Sequence, residues 1–172
     1  MGRRIVPFLL LCALILALWL PLQVVPGGHT RVDLKGGDGR PILSAVLPDG
    51  GTLVFSWRNS LFRLQVEEVF YARGGVLVLS SVTFADPGGA QPPRIAAGDV
   101  DDYYHTGGAF RAEGLSRPFT MVVYLVGEIG DPKMRVGGRT IAFKREMGFG
   151  GRVVLTTGRP NLYEILLKGK RS

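Results

Sequence analysis

The chain has 172 residues, 46% of them hydrophobic and 20% charged, with a formal charge of +7. Its one cysteine, Cys12, lies in an apolar N-terminal segment, so the remainder has no disulfide, thiolate nucleophile or cysteine-ligated metal, and two histidines, His29 and His105, argue against zinc. Arg3 and Arg4 are the only charged residues before His29, which leaves +5 on the rest, scattered except for Lys168, Lys170 and Arg171. Without a basic stripe interleaved with aromatics or a recognition helix, nucleic acid is not an expected partner. The basic tail reads instead as a solvated end near an anionic membrane surface.

Ile5 to Val25 form a run of 21 residues without a charge. As a helix it spans roughly 30 Å, the thickness of a bilayer's hydrocarbon core. Leucines and isoleucines surround it on every side, which suits lipid. Arg3 and Arg4 before it place the N-terminus in the cytoplasm and the rest outside, by the positive-inside rule. A cleaved signal peptide calls for small residues at the exit, but Leu22-Gln23-Val24-Val25-Pro26 lacks an Ala-x-Ala pattern. Lipidation at Cys12 is disfavoured by Leu11 before it and by the apolar run beyond it. The expectation is a single-pass anchor in the cytoplasmic membrane over residues 1–28, with a cleaved signal segment as the alternative, and an extracytoplasmic domain, periplasmic or extracellular, over 29–172.

After Pro26-Gly27-Gly28 the chain reads as strands and turns, with no amphipathic helix of ten or more residues. Val32 to Leu34 is a short strand ended by Gly36-Gly37-Asp38-Gly39, and Pro41 to Leu47 a second, ended by Pro48-Asp49-Gly50-Gly51. Thr52 to Arg58 alternates with Leu53, Phe55 and Trp57 on one face. Leu64 to Ala72 turns at Arg73-Gly74-Gly75 into Val76 to Phe84, a hairpin signal. Asp86 to Arg94 is a loop, Phe119 to Val126 the most apolar strand, and Gly127 to Gly138 a punctuated loop. Arg139 to Lys144 and Gly151 to Thr157 read as another hairpin, and Tyr163 to Leu167 as the closing strand. About eight strands at turn spacings of 8–12 residues predict an all-β fold, mainly an antiparallel β-sandwich, with a β-barrel as the alternative. Its expected core includes Phe55, Trp57, Val69, Leu77, Leu79, Val122, Tyr124, Val154 and Leu166.

The block Phe55-Ser56-Trp57-Arg58-Asn59-Ser60-Leu61, then Val66-Glu67-Glu68-Val69-Phe70, then Gly74-Gly75-Val76-Leu77-Val78-Leu79 resembles the family called domain of unknown function 1850. Tyr103-Tyr104 and Val136-Gly137-Gly138-Arg139-Thr140-Ile141 are similar to its second half. Asn59 stands where that family usually has histidine, which removes a titrating imidazole there. The resemblance implies a small exported or anchored protein, often encoded beside tripartite ATP-independent periplasmic (TRAP) transporters. A transporter permease or its solute receptor is then the implied partner, and no reaction is implied.

If the strands around them pair, Asn59, Ser60 and one carboxylate converge at one end of a sheet as a small polar ligand site. Alternation puts Glu67 and Glu68 on opposite faces, so only one takes part. The structural alternative is turn chemistry at Asn59-Ser60, with a glutamate pairing to Arg58 or Arg63. Asp99, Asp101 and Asp102 lack the grammar of a calcium loop and read as solvating acids before Tyr103, Tyr104 and His105. Those three extend the candidate ligand patch, with one tyrosine expected in the core and one at the surface. Gly36-Gly37-Asp38-Gly39 and Gly148-Phe149-Gly150-Gly151 open no helix and read as turns, not phosphate cradles. No metal ligand set, cofactor motif or catalytic signature is recognisable. The preferred reading is a non-enzymatic accessory or binding domain, ahead of a structural envelope or assembly protein; an enzyme would rest on Ser60 with Glu67 or Glu68.

Overall fold

The computed structural model describes residues 27–168, together with Leu14 and Ile15. The rest of the expected membrane helix lies outside the described residues, as do Lys170 and Arg171. No helix among the described residues is long and apolar enough to cross a membrane.

Residues 27–168 form eleven strands and three short helices. In chain order these are β1 (His29–Gly36), β2 (Pro41–Pro48), β3 (Thr52–Arg58), β4 (Gln65–Arg73), β5 (Val76–Ala85), β6 (Arg94–Ile95) and, after a 3-10 turn, α1 (Val100–Thr106). Then come β7 (Phe110–Phe119), β8 (Met121–Leu125), β9 (Lys133–Val136), β10 (Arg139–Ala142), α2 (Phe143–Met147), β11 (Arg152–Gly158) and α3 (Leu162–Lys168). They build two open sheets, four strands in the order β2-β1-β11-β8 and seven in the order β10-β9-β3-β4-β5-β7-β6. Every pairing is antiparallel except β6 with β7. The inner faces share one apolar core, with Val32, Leu34, Val153 and Leu155 from one sheet and Leu53, Val66, Leu77 and Val82 from the other. This is the expected all-β sandwich, and neither sheet closes into a barrel.

Local turn chemistry explains the first hairpins. At Gly74-Gly75 both residues have positive φ, 59° and 94°, as a two-residue type I′ turn needs. A side chain on Gly75 would also meet Arg159 Cγ at 2.8 Å. The Gly75 amide donates to Thr30 Oγ1 at 3.0 Å, which satisfies a fully buried hydroxyl and ties this hairpin to the opposite sheet.

Several expectations need correction. Phe119 to Val126 is not one strand: β7 ends at Phe119 in the larger sheet, and after Thr120 the chain resumes as β8 in the smaller. Gly127 to Gly138 contains β9, which turns at Gly137-Gly138 into β10 through the same doubly positive φ pair, 53° and 70°. Of the expected strand Arg139 to Lys144, Arg139–Ala142 pairs backwards with β9 while Phe143 and Lys144 begin α2, and Gly151 to Thr157 becomes β11 between β1 and β8. Tyr163 to Leu167 is helical. The Asn161 Oδ1 accepts from the Glu164 amide at 2.9 Å while Glu164 Oε2 accepts from the Asn161 amide at 3.0 Å, a reciprocal cap that starts α3.

Among the expected core residues, Phe55, Leu77, Leu79 and Tyr124 are buried, and Trp57 and Val122 are partly buried against the core. Val69, Val154 and Leu166 are not core. The inward face of β4 runs Val66, Glu68, Phe70 and Ala72, that of β11 runs Val153 and Leu155, and Leu166 sits exposed on α3.

Candidate ligand cleft between the sheets

A cleft of about 910 Å³ opens where β8, the edge of the smaller sheet, faces β3, β4 and β5 of the larger. The larger sheet lines it with Phe55, Trp57, Phe70 and Leu79, β8 with Val122 and Tyr124, and β7 with Phe119. The helix α1 contributes Val100, Asp101 and Tyr104, and the segment from Gly127 to Pro132 closes another side. Alternation on β3 and β4 puts their apolar residues into this space.

One inward position carries a carboxylate. Glu68 lies directly opposite Phe55 on β3 and Val82 on β5, between Val66 and Phe70 along its own strand. It is half-buried there, and the Tyr104 hydroxyl donates to its Oε1 at 3.1 Å. Burial raises the Glu68 carboxyl above its ordinary value, against the smaller opposing pull of that hydrogen bond. Burial, and then the charge of Glu68, raise the phenols of Tyr104 and Tyr124 well above theirs, so both remain protonated donors at neutral pH. No ion pair to Glu68 forms among the described residues.

Two further polar groups in the cleft walls are unspent. The Trp57 indole N–H and the Tyr124 hydroxyl are buried with no hydrogen-bond partner among the described residues. The rings that carry them are held by their neighbours. Tyr124 lies tilted against Phe55 with centroids 4.1 Å apart and meets Phe143 of α2 at 5.5 Å, while Trp57 packs edge-on to Phe84 at 6.2 Å. Phe84 in turn meets Tyr104 at 5.0 Å. At the mouth, Arg117 donates to both oxygens of Asp101 at 2.8 and 3.1 Å. Each holds the other charged: Asp101 is pulled below its ordinary value and Arg117 pushed above its own, chiefly by that bond.

The predicted site residues divide accordingly. Glu68 and Tyr104 meet inside the cleft, and Ser60 lies exposed at its rim. Asn59 is a turn residue: its Oδ1 accepts from the amides of Leu61 and Phe62 at 2.9 and 3.0 Å. Glu67 points out of the opposite face of β4, and neither glutamate forms an ion pair with Arg58 or Arg63. Tyr103, Tyr104 and His105 belong to the helix α1, not to an alternating strand, so the expected split of one core and one surface tyrosine does not arise. Both are 37% exposed, and both contact Phe110. Neither Tyr103 nor His105 lines the cleft.

Sequence reasoning missed Tyr124 and Trp57 as site residues because it assigned both to the core. Only the second sheet, arriving through β8, turns that apolar face into a cleft wall. Among the described residues no group of three His, Cys, Asp or Glu side chains could hold a metal ion. Neither histidine lines the cleft, so no imidazole there stands by Ser60 to activate it. The arrangement suits holding a molecule: apolar walls give affinity, and a few fixed polar groups give orientation. Comparison with known proteins finds no matching family model, no matching curated protein and no matching solved structure.

Proposed function

We propose that this chain is a binding module, anchored through residues 5–25 in the cytoplasmic membrane, that holds a small amphiphilic ligand on the outer side in its inter-sheet cleft. The observation that carries the reading is the cleft itself. It has the volume of a ligand site, about 910 Å³, and its apolar walls contain a carboxylate, two phenols and an indole N–H. A protein that only needed a packed core would leave Glu68, Trp57 and Tyr124 better satisfied or replaced by apolar residues. The anchor rests on the uncharged run with Arg3 and Arg4 before it. The resemblance to the domain of unknown function 1850 family supplies the context, an accessory role beside a TRAP-type permease or its solute receptor.

A thermal-shift screen of small metabolites on the full-length chain tests the binding role. Hits should raise the melting temperature, and Val122→Trp, which fills the cleft from β8, should abolish them. Hits that survive Val122→Trp unchanged would move the ligand site elsewhere and remove the basis of this reading.

One observation favours a second reading, docking to another envelope protein. The strand β8 has a free edge, and its residues Met121, Val123 and Leu125 are 60%, 48% and 72% exposed, Val123 and Leu125 also lining the cleft. A photo-crosslinker at Met121, which is exposed on β8 and does not line the cleft, that captures a defined envelope protein in intact cells supports that role, and capture of none removes it.

A further inference from the structure

We infer that the cleft selects an organic cation, a ligand whose protonated amine sits against the Glu68 carboxylate while its hydrocarbon body lies along the aromatic walls. This rests on the binding-module reading and names the class of its ligand.

The argument starts from the charge that the fold leaves uncompensated. Glu68 occupies an inward position in the middle of three paired strands, with Phe55 and Val82 across from it. A carboxylate in such a place is costly unless it is paired and hydrogen-bonded. Its only hydrogen bond among the described residues comes from Tyr104 to Oε1, so Oε2 is unspent. The cations of the cleft do not serve it. Arg117 is committed to both oxygens of Asp101, and Arg58 at the rim forms no ion pair with it. One positive charge is missing from the site.

The surroundings suit an ammonium better than a metal ion. A metal would need several oxygen or nitrogen ligands, and among the described residues Glu68 belongs to no group of three His, Cys, Asp or Glu side chains that could hold one. Aromatic rings, by contrast, attract organic cations through their faces, and Phe55, Trp57, Tyr104 and Tyr124 all line the same cleft. Glu68 Oε2, which takes no hydrogen bond among the described residues, can accept an ammonium N–H. Phe70, Leu79, Phe119 and Val122 supply the apolar channel for the ligand's carbon chain. The same carboxylate selects against an anion, because a second negative charge beside Glu68 would be buried with it.

Three probes of one shape separate the possibilities: phenylbutylamine, phenylbutanol and phenylbutyrate, titrated calorimetrically into the full-length protein at neutral pH. The amine should bind roughly tenfold or more tighter than the alcohol, as a hydrogen bond to a charged group does, and the carboxylate should bind weakest. Glu68→Gln keeps the side-chain shape and should bring the amine down to the affinity of the alcohol, with a melting temperature no lower than that of wild type as evidence that the variant is folded. Equal binding of amine and alcohol in the wild type, or an amine preference that persists in Glu68→Gln, overturns the cation inference and leaves cleft binding standing. Binding of none of the three at millimolar concentration overturns both.

Discussion

Tyr124→Phe removes one oxygen from the cleft wall and leaves the ring in place. The ring's contacts with Phe55 at 4.1 Å and Phe143 at 5.5 Å do not involve the hydroxyl, so packing is preserved. The hydroxyl is buried without a hydrogen-bond partner, and burying such a group costs about 1–3 kcal/mol on mutational scales. Part of that cost is recovered by local relaxation, so the expected gain for the variant is about 1–2 kcal/mol. For a folded unit of this size roughly 3–4 °C accompany each kcal/mol, which predicts a melting temperature about 3–8 °C higher. Urea unfolding of the full-length protein measures the gain directly, with the slope unchanged between wild type and variant. The pH dependence gives a second readout. The folded phenol titrates above its ordinary value of 10.0, so its contribution is complete below that value and is lost as pH rises through the folded-state titration. The advantage of Tyr124→Phe should therefore widen above about pH 10. A variant less stable than wild type by more than about 0.5 kcal/mol would show that the hydroxyl makes a stabilising bond, and would refute the view that it is held for a ligand.

Glu68→Gln should match wild type in stability below the ordinary carboxyl value of 4.5 and exceed it increasingly above. The folded-state titration is raised, so wild type alone loses stability as pH rises through it. A gap in urea midpoints that narrows with rising pH would contradict this. Asn59→Ala should cost about 1 kcal/mol, because it leaves the amides of Leu61 and Phe62 without their acceptor, and should leave ligand affinity unchanged. A large loss of binding with intact stability would return Asn59 to the site. Gly75→Ala should destabilise by more than about 1 kcal/mol, since φ is 94° and the new methyl meets Arg159 at 2.8 Å, whereas Gly74→Ala, with nothing within 4 Å, should cost less. Thermal unfolding of the two variants side by side decides the order.

What could be read from the sequence was local chemistry. The hairpin at Gly74-Gly75, the turn Pro48-Asp49-Gly50-Gly51 and the alternation of Leu53, Phe55 and Trp57 each depend on hydrogen bonds and sterics within a few residues, so they are visible in the order of residues alone. Two missed elements had signals of the same kind. Gly137-Gly138 repeats the hairpin signature between β9 and β10, and Asn161-Leu162-Tyr163-Glu164 is a capping box before α3.

The cleft could not be read that way. The pair Glu67-Glu68 shows no asymmetry in sequence, and both residues lie beside apolar neighbours. Which of them points inward is set by the register of β4 against β3 and β5, a property of three strands and not of one. Nothing near Tyr124 announces Phe55 as its neighbour, because they meet only when the chain leaves the larger sheet at Thr120 and β8 docks on the smaller. Tyr104 reaches Glu68 only because α1 packs its rings over Phe84 and Phe110. The β class and the turns follow from hydrogen bonds closed over short spans of chain; which carboxylate faces inward depends on surfaces brought together from distant parts of the chain.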